Sequence, residues 1–239
     1  MRSGKRIPVR GVFVTGTDTG VGKTWIGAAV IRKLIARGVR VVPRKPAESG
    51  CETQDGALFP ADAAVLHAAA EQPGRLLDVC PYRFRHALSP ARAARLEKAE
   101  HLTLAGLEQA CVKGVSDDSF VWVEGAGGFY SPLAADGLNA DLAAWLSLPV
   151  LLVAADRLGC INHVLLSQQT IQARGLSLVA VVLNQVSVQP TPGMGNAVMD
   201  NLEDLRQWTD APLIRIAYGE QPAASAQIAR LAELLMPAA

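Results

Sequence analysis

The chain has 239 residues, 50% hydrophobic and 19% charged, which is enough apolar material for one domain spanning residues 1–239. Its 23 basic and 22 acidic residues give a net charge of +1, so neither a nucleic acid nor a membrane surface is an expected partner. The longest apolar run, residues 149–155, is too short to span a bilayer. Four cysteines lack the paired spacing of zinc or redox sites, which indicates a reduced, cytoplasmic protein.

Short β-branched apolar runs alternate with helical patterns along the chain, an order typical of βαβ units and a parallel sheet. The runs are apolar throughout, as expected of strands that are covered on both faces. Strands are predicted at 9–15, 39–42, 119–124, 150–155, 178–184 and 213–216. Helices are predicted at 23–37, 63–70, 104–113, 139–146, 162–174, 197–208 and 224–235, with a surface loop at 185–195.

A glycine-rich turn joins the first strand to the first helix: residues 16–24 read Gly-Thr-Asp-Thr-Gly-Val-Gly-Lys-Thr. Such a turn points backbone N–H groups at phosphate oxygens, and the helix N-terminus adds partial positive charge. Lys23 is predicted to reach the β- and γ-phosphates, and the Thr24 hydroxyl to bind Mg²⁺. The loop is a Walker A variant, because Gly16 stands one residue before the usual first glycine. We therefore predict a P-loop NTPase-like α/β fold, a doubly wound and mostly parallel sheet, with ATP and Mg²⁺ as ligands.

Acidic residues that could serve the metal follow this loop along the chain. Glu124 ends a run of four apolar residues, and burying an unpaired carboxylate is costly, so this position favours a metal site. The glycines in 125–128 would let substrate or phosphate approach the backbone closely. Asp62 precedes an alanine-rich stretch, where two interpretations stay open: a helix N-cap or a metal ligand. Asp55, beside a predicted turn, is a further candidate.

Four strings, in this order, carry a resemblance to a known family. They are the turn at 16–24, Lys45-Pro46 with Ser49-Gly50, the string 123–128 (Val-Glu-Gly-Ala-Gly-Gly), and the string 158–163 (Leu-Gly-Cys-Ile-Asn-His). Together they resemble the dethiobiotin synthetases, and the resemblance covers residues 11–184. That family converts 7,8-diaminopelargonate, CO₂ and ATP into dethiobiotin, ADP and phosphate. One amine forms a carbamate, the carbamate receives the γ-phosphoryl group, and the second amine closes the ring.

The resemblance also implies the roles of individual residues. Lys23 and Lys45 would be catalytic, because positive charge must offset the anions that meet in this reaction. The metal ligands would be Thr24, Asp62 and Glu124. Substrate would be bound by Thr19 and Ser49 and, across a homodimer interface, by the helix N-terminus formed by Gly159, Cys160, Ile161 and Asn162. The nucleotide would be bound by Gly20, Val21, Gly22, Lys23, Thr24, Trp25, Asp62, Glu124, Gly125, Ala126, Gly127, Asn184 at the adenine edge, Gln185 and Tyr218.

The chain departs from the family pattern at two positions. Ala91 follows Ser89-Pro90 where many members carry histidine, and His86 is the nearest candidate to replace it. Near the C-terminus, residues 215–218 (Arg-Ile-Ala-Tyr) stand where the family has a Gly-x-x-Pro stretch that borders adenine. A strict preference for ATP over other nucleotides is therefore not implied.

Three other functions are considered. A partitioning-type dimeric ATPase would carry a signature lysine where this loop has Asp18, and often a basic tail, whereas Arg230 is the single cation of the C-terminal helix. A cobyrinate-type amidotransferase would need a glutaminase domain, which is not expected in these 239 residues. A catalytically silent nucleotide-binding homologue is the third alternative, because of Ala91 and Arg215.

Overall fold

A computed structural model describes residues 10–99, 102–187 and 199–236. The helices are α1 Lys23–Ile35, α2 Ala61–Ala69, α3 Leu76–Val79, α4 Pro90–Leu96, α5 Leu104–Val112, α6 Asn139–Leu146, α7 Cys160–Ala173, α8 Asn201–Leu205 and α9 Ala226–Leu235. The strands are β1 Arg10–Gly16, β2 Val41–Arg44, β3 Ala47–Ser49, β4 Glu52–Gln54, β5 Ala57–Phe59, β6 Tyr82–Phe84, β7 Phe120–Gly128, β8 Pro132–Ala134, β9 Gly137–Leu138, β10 Val150–Ala155, β11 Leu178–Asn184 and β12 Leu213–Ile216.

Six strands form the central sheet in the order β12-β11-β10-β1-β7-β2, and every neighbouring pair is parallel. From β1 the chain runs outward to β2 and returns through β7. It then crosses to the other side of β1 and adds β10, β11 and β12. The winding direction therefore reverses at β1, and open α/β sheets bind ligands at the carboxyl ends of strands beside such a reversal.

Side chains alternate between two apolar layers along the central strands. Val12 and Val14 of β1 pack in one cluster with Ile26 of α1 and Leu231 of α9. Phe13, between them, packs in a second cluster on the opposite face, with residues of α5 and α6. Both faces of the sheet are therefore covered by helices. This explains why the strands read as continuous apolar runs, and it confirms the predicted doubly wound α/β fold.

Four predicted elements have the observed bounds: β10, β11, β12 and α6. The strand predicted at 39–42 lies instead at Val41–Arg44, and β7 extends through the glycines to Gly128. Of the helix predicted at 197–208, the structure shows only Asn201–Leu205: Asp200 is its N-cap and residues 206–208 form a turn, so the predicted bounds are wrong there, while residues 197 and 198 lie outside the described part of the chain. Most of the loop predicted at 185–195 also lies outside it, and a single domain over 1–239 stays a prediction.

Between β2 and α5 the sequence predicts only α2, at 63–70; it does not predict the other elements there or the hairpin β8–β9. Strands β3 and β6 pair in parallel, and β4 pairs antiparallel with β5, each over three residues. Three residues are too few to show a period, so tertiary pairing alone identifies these strands. Among the described residues, no helix is long and apolar enough to cross a membrane.

Candidate active site

The glycine-rich loop lies at the carboxyl end of β1, and a residue at the end of β11 supports it. Gly22 has φ 94°, a left-handed conformation that favours glycine, and serves as the N-cap of α1. A Cβ on Gly22 would lie 2.2 Å from Asn184 Nδ2. That amide donates a hydrogen bond to the Val21 carbonyl oxygen at 3.0 Å. Asn184, at the end of β11, therefore supports the phosphate loop from two strands away, across β10.

Packing explains why the loop has its first glycine at Gly16, one residue earlier than usual. A Cβ on Gly16 would lie 2.6 Å from the Asp18 carbonyl oxygen and 2.9 Å from Lys23 Nζ. Lys23 Nζ donates to the same Asp18 oxygen at 3.0 Å, so the loop closes over the ammonium group. Burial lowers the pKa of Lys23 to about 8, against the opposing charge of Glu124. The variant motif thus still delivers a buried lysine to the loop.

A charged cluster lies beside this lysine, between the end of β2 and the middle of β7. Glu124 is fully buried, and its Oε1 accepts hydrogen bonds from Thr24 Oγ1 and Lys45 Nζ, both at 2.8 Å. Lys45 Nζ is also 3.2 Å from Asp62 Oδ2. Burial by itself would lower the pKa of Lys45, but the carboxylates of Glu124 and Asp62 outweigh burial and raise it. Lys45 therefore stays protonated and acts as a cation, not as a base.

The oxygen atoms of this cluster fit Mg²⁺. The second carboxylate oxygen of Glu124, Oε2, is buried and has no hydrogen-bond partner among the residues that the structure describes, and an orphaned anionic oxygen is costly unless a cation binds it. Carboxylate and hydroxyl oxygens are the donors that Mg²⁺ prefers, and it usually binds one or two carboxylates together with phosphates. In the part of the chain that the structure describes, no group of three or more His, Cys, Asp or Glu could hold a metal by itself. Thr24, Asp62 and Glu124 thus suit a cation that shares its ligands with a nucleotide.

The N-cap interpretation of Asp62 is wrong. Helix α2 begins at Ala61 with Pro60 as its N-cap, so Asp62 already lies within the first turn. The carboxylate that caps the helix belongs to Glu48 on β3: its Oε1 accepts from the Asp62 N–H at 3.0 Å and its Oε2 from the Ala63 N–H at 2.9 Å. The sequence analysis missed Glu48, although an acid inside the string that joins Lys45 to Ser49 was a usable signal.

Gly125, directly after Glu124, is required by the packing of the fold, whether or not a ligand is bound. A Cβ on Gly125 would lie 2.5 Å from Oδ1 of Asn139, a fully buried residue. Asn139 Nδ2 donates to the carbonyl oxygens of Ala126, Gly128 and Ser131, at 2.8, 3.1 and 3.1 Å, and its Oδ1 accepts from the Ala126 N–H at 3.1 Å. One side chain therefore fixes the segment that follows the buried carboxylate.

A cavity of about 540 Å³ opens in front of the loop and the charged cluster. Its walls are mixed: Trp25 and Leu88 are 41% and 45% exposed and supply apolar surface beside the charges. The predicted site residues that line it are Thr19, Gly20, Gly22, Lys23, Thr24, Trp25, Lys45, Ser49, Asp62, Ala126 and Gly127. The residues that the sequence analysis did not assign to the site are Glu48, Ala87, Leu88, Ser89, Pro90 and Ser131.

Several predicted residues do not line this cavity. Gln185 accepts from the Tyr218 N–H at 3.4 Å, near the end of β12. The segment 159–162 opens α7 with Gly159 as N-cap. Within it Cys160 is buried and its N–H donates to the Arg157 carbonyl oxygen, whereas Gly159 and Asn162 are exposed, so substrate binding by this segment stays a prediction.

The alternative candidates have other roles. Asp55 is exposed in the β4–β5 turn and does not line the cavity. His86 pairs with Glu97 at 2.8 Å and does not line the cavity, and its replacing a histidine at position 91 stays a prediction. Arg215 forms ion pairs with Asp156, at 3.2 Å, and with Asp200. Arg215, one of the residues at which the chain departs from the family pattern, therefore connects β12 to the end of β10.

Alanine substitutions at Gly22 and Gly20 should differ in cost. Both residues have positive φ, 94° and 73°, which costs a residue with a Cβ about 1–2 kcal/mol. A Cβ at Gly20 would meet no described atom within 4 Å, whereas one at Gly22 would collide with Asn184. We expect Gly22→Ala to lower the free energy of unfolding by about 1–3 kcal/mol more than Gly20→Ala, measured by urea denaturation. Equal losses would mean that Asn184 does not brace the loop.

Comparison with known proteins agrees with this geometry. A family model described as an AAA domain matches residues 10–217. The ATP-dependent dethiobiotin synthetase BioD of Anaeromyxobacter dehalogenans is 43% identical over 186 residues, 78% of this chain and 81% of that protein. The BioD proteins of Ruthia magnifica and Rhodopirellula baltica are 39% and 37% identical, each over 84% of this chain and over 88% and 81% of their own lengths.

Among solved structures, the cell division protein FtsY of Thermotoga maritima matches with a TM-score of 0.49 at 15% identity, over 97% of this chain and 69% of that one. So distant a match adds nothing to the assignment, which is carried by the sequence relatives and the family model. The chain belongs to the ATP-dependent dethiobiotin synthetase family.

Proposed function

We propose that this protein catalyses the ATP-dependent conversion of 7,8-diaminopelargonate and CO₂ into dethiobiotin, ADP and phosphate, a step of biotin biosynthesis. The observation that carries the proposal is the position of Lys45. Its buried ammonium lies between Glu124 and Asp62, and the three line or underlie the cavity that also contains Lys23. A second cation facing the phosphate loop suits a reaction in which two anions must meet.

The reaction balances with the groups that the cavity offers. One substrate amine adds to CO₂ and loses a proton, giving a carbamate. A carbamate oxygen then attacks the γ-phosphorus, which breaks its bond to the β–γ bridging oxygen and releases ADP. The second amine attacks the carbonyl carbon of this mixed anhydride, loses a proton to solvent, expels phosphate and closes the cyclic urea. Lys23 and Lys45 would hold the anions together, because both are buried cations and are worth more there than in water.

The rest of the cavity supports the same substrate. Thr19 and Ser49 offer hydroxyl groups at its rim, near the amines and the carbamate. Trp25 and Leu88 provide apolar surface for the methylene chain, which would otherwise face water. We assign the nucleotide to the loop 20–25 and to Asp62, Glu124 and 125–127. Asn184, Gln185 and Tyr218 would lie on the side of the base.

We further propose Mg²⁺ as the metal, held by Thr24, Asp62 and Glu124. The orphaned Glu124 Oε2 supports this assignment. When bound, Mg²⁺ would neutralise phosphate charge during transfer.

We also propose a homodimer in the cytoplasm. Leu158 is 89% exposed, directly before Gly159, the N-cap of α7, and an apolar side chain so exposed beside a helix N-terminus suits an interface that serves the partner's substrate. The four cysteines are unpaired and buried, which is compatible with a reducing compartment. Neither a membrane nor a nucleic acid is part of the proposal.

Phosphate release should require both the diamine and a CO₂ source. The physical reason is that the carbamate is the acceptor of the phosphoryl group, so without it ATP has no nucleophile held in line. The measurement is phosphate release with each component omitted in turn, with dethiobiotin identified by mass spectrometry. Hydrolysis that ignores both components but rises with DNA or lipid vesicles would support the partitioning-type switch instead. Nucleotide binding without any turnover would support the silent homologue.

Asp62→Asn should reduce turnover by about tenfold or more while changing the free energy of unfolding by less than about 1 kcal/mol. Glu48, not Asp62, caps α2, so the helix keeps its cap while the metal and Lys45 lose a carboxylate. The matched control is Asp55→Asn, the same change at an exposed turn, which should retain activity. Near-normal turnover of Asp62→Asn would remove Asp62 from the site.

Complementation tests the dimer. Lys23→Ala disables the phosphate loop, and Asn162→Asp sets an anion against the substrate carboxylate at the α7 N-terminus. Each variant should be nearly inactive alone. After subunit exchange in an equal mixture, half of the dimers would be mixed, each with one intact site, so about one quarter of wild-type activity should return. If exchange is confirmed by mass and no activity returns, each site is built within one chain.

A further inference from the structure

We propose that Glu48 is a positioning residue for the metal site: by capping α2 it keeps the Asp62 carboxylate free to face Lys45 and the cation. The inference deepens the proposed Mg²⁺ site and rests on it. No contact of Glu48 with the cation is invoked.

The geometry of the cap is complete on both oxygens. Glu48 is 6% exposed, and its carboxylate accepts the N–H groups of Asp62 and Ala63 at 3.0 and 2.9 Å. The N-cap position itself offers nothing, because Pro60 has no side-chain acceptor for these donors. Across the β3–β6 pair, Arg83 donates to the Cys80 and Leu58 carbonyl oxygens, so it does not compete for this carboxylate.

The cap matters because two carboxylates lie near the same helix N-terminus. A helix N-terminus attracts an anion through its free N–H groups and its partial positive charge. While Glu48 satisfies two of these donors, the Asp62 side chain is free to lie 3.2 Å from Lys45 Nζ. If Glu48 were removed, the unsatisfied N–H groups would draw the nearest carboxylate, which is that of Asp62, away from the cluster.

Lys45, Glu48 and Asp62 thereby act as one unit. Lys45 follows β2, Glu48 lies three residues later on β3, and Asp62 opens α2, so the cap sets the distance between a strand end and a helix end. Residues that hold a metal ligand in place without touching the metal orient that ligand, and their loss usually costs about 10–100-fold in metal affinity or activity.

The test is the Mg²⁺ dependence of ATP binding, measured by calorimetry without the diamine, alongside thermal unfolding. Glu48→Ala should raise the Mg²⁺ concentration for half-maximal enhancement of ATP binding by about tenfold and leave metal-free ATP binding unchanged. Glu48→Gln should give a smaller shift, because its amide oxygen still accepts one N–H. The control is Asp136→Ala, which removes the carboxylate that accepts the Leu104 N–H at the start of α5, away from the cavity, and should leave the Mg²⁺ dependence unchanged.

A double-substitution cycle separates positioning from general stability. In an Asp62→Asn background, Glu48→Ala should shift the Mg²⁺ dependence no further, because its effect passes through Asp62. An unchanged Mg²⁺ dependence in Glu48→Ala, or in Glu48→Gln should the alanine variant fail to fold, would overturn the inference while leaving the metal site intact. Wild-type ATP binding that is indifferent to Mg²⁺ would overturn the metal site and this inference together.

Discussion

Glu124 is a carboxylate with no exposed surface in the middle of β7, a strand covered on both faces, and its partners determine how the surrounding elements meet. Its Oε1 receives Thr24 from α1 and Lys45 from the end of β2. Removing one partner of such a buried pair typically costs about 3–5 kcal/mol, because the other charge is left uncompensated. The first helix and the second strand are therefore tied to β7 at one point, and that point is the site.

Two buried amides hold the backbone on either side of this point. Asn139 connects α6 to the segment after Glu124 through four hydrogen bonds, and Asn184 connects β11 to the phosphate loop through Val21. Each amide lies where a glycine leaves room for it: Gly125 for Asn139 and Gly22 for Asn184. The glycines that the motif shares with other nucleotide-binding loops are thus also required by the packing behind the loop, before any ligand arrives.

The charged groups of the site are only partly paired with one another, so some of them are available to a ligand. Lys45 is neutralised by Glu124 and Asp62, while within the described residues Lys23 Nζ hydrogen-bonds only to the Asp18 carbonyl oxygen and has a lowered pKa. Glu124 keeps one oxygen without a partner. A nucleotide would bring anionic oxygens that pair with the lysine ammonium groups, and a divalent cation would bring positive charge for the carboxylates. The nucleotide and the cation would therefore together balance the charges of the site.

The sequence determined what local chemistry can encode. A glycine-rich turn between an apolar run and a helix pattern predicts a phosphate loop, because backbone freedom and helix polarity are properties of neighbouring residues. An acid at the end of an apolar run likewise identified Glu124, since its burial needs a reason. The family strings then linked Lys45, Asp62 and Ser49 to the same chemistry, and the bounds of β10, β11, β12 and α6 followed from runs long enough to show their character.

Only the tertiary structure decided which carboxylate, that of Glu48 or that of Asp62, caps α2. Asp62 satisfied the local rule for a helix cap, yet the cap is Glu48, fourteen residues earlier in the chain and brought there by the short strand β3. Asn139 and the glycines after Glu124 show the same limit, because their fit depends on elements that are adjacent only after folding. Local sequence patterns indicate which conformations and roles a residue favours. When two residues could fill the same role, the one whose side chain lies within hydrogen-bond distance in the folded protein fills it, and the sequence does not show that distance.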